Sequence, residues 1–165
     1  MIENVQVLTL GTECRDKATE ITGTVTHWVM NMGGRVEYLF QPRGLDEEGA
    51  PLKKLYLCRE RLEVSEGNFE MVEVPFEILG SQVTDKASGF TGMATQFIRH
   101  INGCFHVEIQ PKGMLPKKGT VTQSRDFDLR ACVGEKIAVL TDEERSASHR
   151  ERPSPSERPQ PRQYD

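Results

Sequence analysis

The sequence has no apolar run long enough to span a bilayer, which excludes a membrane-spanning helix as its organising element. Cysteine is sparse: Cys14, Cys58, Cys104 and Cys132 form no C-x-x-C pair, so neither a zinc ribbon nor a dense disulfide scaffold is expected. Reduced, packed thiols in a cytosolic setting are the reading that follows. The opening Met1-Ile2-Glu3-Asn4 lacks the basic start and apolar core of a signal peptide, so secretion is not expected. No glycine-rich phosphate loop leads into a helix. An excess of positive charge is also missing. The formal net charge is −4, and the chain stays weakly acidic without its last residues, which disfavours non-specific nucleic-acid binding.

What is present is a repeat. Gly11–Gly44 and Gly80–Gly113 align at an offset of 69 residues without a gap, and 11 of 34 positions are identical. The identities fall on Gly, Asp-Lys-Ala, Thr-Gly and Gln-Pro landmarks. A period of that size in a 165-residue chain predicts two similar modules. Each is small enough to be marginal alone, so packing one on the other adds stability. The cysteines do not follow the repeat, a further argument against structural disulfides.

Taken in order, Val5–Leu8 opens the first module as an extended segment, and Asp16 starts a polar turn. Asp85 starts the matching turn of the second module, where Gly89 permits a positive φ and Glu20 predicts a different turn in the first. Phe97–Ile101 and Cys104–Ile109 flank Asn102-Gly103, which predicts a two-residue type I′ hairpin; Gly33-Gly34 takes that place in the first copy. In that register Val36, Tyr38 and Phe40 share a core face with Val29, and Phe105, Val107 and Ile109 share one with Ile98. The opposite face collects Trp28, Met30, Met32 and Leu39, with Phe97, Ile101 and Cys104 in the second copy. Three arrangements account for so apolar a face: a bent barrel strand that buries part of it, burial between the modules, or docking of a partner. Gln41-Pro42 and Gln110-Pro111 end these strands. Helical turns fit only at Asp126–Arg130 and at charged stretches such as Arg59–Arg61. Leu62-Glu63-Val64 closes the first module, and Phe127–Val133 with Ile137–Leu140 closes the second. Module boundaries of 1–66 and 67–140 follow, with Glu66-Gly67-Asn68 as the hinge. Residues 141–165, rich in Ser, Arg, Glu and Pro, read as a disordered tail.

Catalytic chemistry finds little footing. His27, His100, His106 and His149 are not repeated, and Cys104 with His106 makes only a two-ligand fragment. No enzyme, cofactor or metal is expected. The candidate binding residues are Trp28, Met30, Met32, Phe97 and Ile101, with Lys112, Lys117 and Lys118 on the loop after the second hairpin.

The pattern G-x-x-V-x-D-K-x-S-G-F-x-G-x-A-T, continued by I-N-G-C-F-H-V and Q-P over Gly80–Pro111, resembles short proteins encoded by tailed bacteriophages and prophages. The first copy also matches their R-L-E-V ending at Arg61–Val64, whereas the second has Arg130-Ala131-Cys132-Val133, which leaves its last strand open. Strand order and the opening motif are similar to those of SH3-like, KOW-type barrels. The resemblance implies an all-β chain of two tandem SH3-like barrels. It also implies a non-enzymatic virion or assembly protein, such as a capsid decoration or head–tail component. The implied partners are other phage structural proteins or a host protein, with self-association possible, in the virion or the host cytoplasm and away from membranes. An intracellular host-takeover protein that binds a host protein, a nucleic acid or a small nucleotide is the other reading. Fold does not dictate function.

Overall fold

A computed structural model describes residues 3–115 and 119–137; the tail at 141–165, Lys117 and Lys118 lie outside them. The described residues are all-β, with strands joined by turns and three short 3-10 turns. The first copy runs β1 (Glu3–Leu8), β2 (Glu13–Asp16), β3 (Thr22–Asn31), β4 (Val36–Pro42), β5 (Leu55–Cys58) and β6 (Leu62–Glu63). The second runs β7 (Phe69–Val74), β8 (Gln82–Asp85), β9 (Thr91–His100), β10 (Phe105–Gln110), β11 (Met114–Leu115), β12 (Thr120–Val121), β13 (Arg125–Asp128) and β14 (Cys132–Gly134). Strand order in the first copy is β6-β2-β3-β4-β5, and the second repeats it as β14-β8-β9-β10-β13. A 3-10 turn precedes the last strand of each, at Arg59–Arg61 and Leu129–Ala131. The two copies share one ten-stranded sheet, and no ladder among the described residues joins β5 to β6 or β13 to β14, so neither copy closes into a barrel.

The two hairpins differ from the two-residue expectation. His100 N–H donates to Cys104 O at 3.0 Å and Gly103 N–H to His100 O at 2.9 Å, with Gly103 at φ 88°. Asn31, Arg35 and Gly34 (φ 79°) repeat this arrangement. Each loop therefore holds three residues, closed by a left-handed glycine, a common alternative to the type I′ turn. One added loop residue shifts the register by one and turns side chains to the other face. Trp28 pairs with Tyr38, Met30 with Val36, and Phe97 with Val107. The core is thus built from Trp28, Met30, Tyr38 and Phe40 with Phe97, Val107 and Ile109, while Val29 and Ile98 sit on the reverse face.

Three further features follow the repeat. Glu20 adopts φ 65°, close to the 77° of Gly89, and both turns carry the same backbone bonds, so the first turn is not of another type. The second copy does have its final strand: Cys132 pairs with Asp85 as Leu62 pairs with Asp16, which sets the offset there at 70 rather than 69. The Gln-Pro landmark pins the loop that absorbs this extra residue. Gln41 Nε2 donates to Leu52 O (2.8 Å), and Gln110 Nε2 to Thr122 O (2.6 Å).

The modules are not beads on a hinge. β3 pairs antiparallel with β9, and Val29 and Ile98, equivalent under the repeat, face each other. β1 pairs with β7, and Thr9 N–H donates to Asn68 O (2.9 Å), so the turn containing Gly67 is tied down. This ribbon lays Val5, Val7, Val72 and Val74 into one apolar cluster shared by both copies. Trp28 meets Phe105 of the other copy edge to face, 5.6 Å between centroids. The result is an approximate two-fold arrangement, a dimer written on one chain.

Candidate functional site

The expected binding face does not assemble. Trp28, Met30 and Phe97 are buried, because the shifted register places them among the core residues. Met32 and Ile101 are exposed at 46% and 54%, and the end of each side chain lies near a glycine of the other copy. A Cβ on Gly80 would lie 3.6 Å from the Met32 side chain, and one on Gly11 3.4 Å from that of Ile101. Lys112 is exposed on its loop, and Lys117 and Lys118 lie outside the described residues.

A concave feature lies elsewhere, in the first copy. A cleft of about 570 Å³ is lined by Gln6, Arg35, Val36, Tyr38, Arg59, Glu60 and Phe69. The ribbon supplies Gln6 and Phe69, β4 with its preceding loop supplies Arg35, Val36 and Tyr38, and the 3-10 turn supplies Arg59 and Glu60. Buried Tyr38 forms the floor, and its phenolic oxygen accepts from the Leu8 N–H at 3.0 Å. Burial raises its pKa, so it stays protonated. Arg59 is held on two sides. Its guanidinium donates to Leu62 O at 2.8 Å and lies 4.8 Å from the centre of the Phe69 ring. Arg35 is looser, with an ion pair to Glu37 of 3.9 Å. Its own backbone N–H and the Cys58 side chain hold the Glu60 carboxyl below the usual range, and Arg35 and Arg59 add to the effect. The second copy has no such lining: Cys104, Phe105, Val107 and Leu129 stand where Arg35, Val36, Tyr38 and Arg59 do. There the position is packed with apolar side chains.

A second cluster sits where the copies join. His27 pairs with His100 across β3 and β9, and their rings meet edge on at 4.3 Å; His106 lies 4.4 Å from His100. Spacing along the chain could not reveal this group, because it depends on one module pairing with the other. Thr26 Oγ1 lies 2.8 Å from His27 Nδ1, and His100 Nε2 is buried with no partner among the described residues. Burial, then the neighbouring histidine, lowers the His27 pKa to about 4; His100 is lowered by burial and His106, and Lys54 depresses both. Across the approximate axis the equivalent pair is Asn31 with Gln96. The imidazoles meet edge on or tilted, and no group of three His, Cys, Asp or Glu among the described residues is arranged to hold a metal ion.

All four cysteines are free thiols. Burial pushes Cys14 and Cys132 up to about 11, which makes them poor nucleophiles. They pack where the other copy has Val83 and Leu62, all four side chains buried. Among the described residues no helix is long and apolar enough to cross a membrane. No family model, curated protein or solved structure matches this chain.

Proposed function

We propose that the chain is a non-enzymatic phage structural or assembly protein, a fused pair of SH3-like barrels that works through protein–protein contacts in the virion. The barrel reading is supported by the strand order of each copy and the 3-10 turn before its last strand, together with the sequence motifs quoted above. The observation that carries the functional reading is what duplication has kept. Asp16 and Asp85 close turns, Gly23 and Gly92 allow neighbouring backbone to approach closely, and Gln41 and Gln110 pin loops. All are architectural, whereas the outer-face and cleft residues differ between copies. A scaffold kept constant beneath two unlike surfaces suits a capsid-decoration or head–tail component that touches different neighbours on its two sides.

Mass spectrometry of purified particles tests this. A stoichiometric copy number supports a virion protein, and absence from particles overturns that assignment. The first-copy cleft favours one second reading, an intracellular binding protein made in the host cytoplasm. Such a protein is absent from particles and brings a host ligand or partner with it on purification.

A further inference from the structure

The cleft between the ribbon and the first copy is a built feature with a chemistry of its own. It combines two guanidiniums, one carboxylate and two aromatic rings in a volume within the usual range for small-molecule sites. Arginine forks match the oxygens of phosphate in number and geometry. Arg59 is already oriented by Leu62 O and the Phe69 ring, so little of its freedom is left to lose on binding. Arg35, at the end of the β3–β4 hairpin, lines the same cleft, with a 3.9 Å ion pair to Glu37 as its guanidinium's contact. The second copy replaces both with apolar residues while keeping the surrounding strands, so the fold does not require the pair.

We propose that this cleft binds a small phosphorylated molecule, with the phosphate between Arg35 and Arg59 and hydroxyl or amino donors facing Glu60. The carboxylate sets the selectivity. It repels a bare anion and accepts hydrogen bonds from a ligand that carries donors beside its phosphate, as a sugar phosphate does. Gln6 at the rim offers both a donor and an acceptor. This rests on the second reading above, and its failure is distinguishable from that of the particle assignment, since a failed titration leaves the copy number in particles untouched.

The test is an NMR titration of the full chain with inorganic phosphate and with ribose 5-phosphate, each against chloride at equal ionic strength. Saturable shifts confined to Gln6, Arg35, Arg59, Glu60 and Phe69 are expected, with ribose 5-phosphate binding more tightly than phosphate. Arg35→Ala should weaken both at least fivefold while the rest of the spectrum stays folded. Glu60→Gln should tighten inorganic phosphate and narrow its gap to ribose 5-phosphate. Absence of saturable binding by either probe, or binding unchanged in Arg35→Ala, overturns the site. An unchanged gap in Glu60→Gln overturns the role given to that carboxylate.

Discussion

Glu20 is the residue most at odds with its backbone. It sits at φ 65°, where a side chain costs about 1–2 kcal/mol and glycine costs nothing, and its counterpart is Gly89. Its 2.8 Å ion pair with Arg15 is solvent-exposed and contributes little. Glu20→Gly should therefore raise the melting temperature by about 2 °C, and Gly89→Glu should lower it; scanning calorimetry of both variants decides. Asp16 carries a different asymmetry. It is buried, accepts two bonds from the Arg61 guanidinium (3.0 and 2.6 Å) and a third from Thr19. Asp85 keeps the turn bonds from Ser88, but Ala131 stands in the place of Arg61. Arg61, then Thr19 and the Ala18 N–H, hold the Asp16 carboxyl well below the usual range, and its contribution is lost as pH falls towards that depressed value. Asp16→Asn should cost more stability in denaturant titrations at pH 7 than Asp85→Asn, and an equal cost would show that Arg61 adds nothing.

At the scale of the element, the two long strands β3 and β9 carry the design. Each has a glycine where its hairpin partner passes close by. A Cβ on Gly23 would lie 2.3 Å from Gln41 O, and one on Gly92 2.2 Å from Gln110 O. Backbone cannot yield as a flexible side chain does, so Gly23→Ala and Gly92→Ala should each cost more than about 2 kcal/mol, measured by urea unfolding. The same strands show why Trp28 and Phe97 are equivalents in the core. Trp28→Ala should cost about 3–5 kcal/mol. Trp28→Phe should cost far less, since it copies Phe97 and removes an indole N–H that has no partner among the described residues. A Trp28→Ala protein that stays fully stable would return the residue to a surface role.

For the whole molecule the junction of the two copies decides behaviour. The folded protein holds His27 at about 4, whereas the ordinary value is 6.5, so the unfolded chain takes up its proton first. Stability should fall as pH drops from 6.5 towards 4, because burial disfavours the imidazolium and protonation places cations beside one another and beside Lys54. The double variant His27→Gln with His100→Asn imports the pair found across the approximate axis, Gln96 with Asn31. Its melting temperature should be flatter over that pH range than that of the parent protein. A parallel decline in both proteins would assign the acid sensitivity to other groups.

Hairpin signals, alternation and the repeat together determined much of this protein: its all-β character, two similar copies, the turn carboxylates and the free thiols. Those depend on contacts within a copy, and landmarks such as Gln41-Pro42 and Asp16 lie close in sequence to the turns and strands they shape. Three things were decided only in three dimensions. Hairpin register rested on one loop residue, because both Asn102-Gly103 and Ile101-Asn102-Gly103 satisfy a glycine at positive φ, and the choice carried Trp28 and Phe97 from an expected surface to the core. The histidine cluster arose from β3 meeting β9, a pairing between residues more than 60 positions apart that no local pattern encodes. The arginine cleft arose from β1 and β7 folding over the first copy, where Arg35, Arg59 and Phe69, unremarkable in their own segments, come to face one volume. Local propensity and periodicity act over a few residues, whereas these sites are set by which surfaces the packed copies bring together.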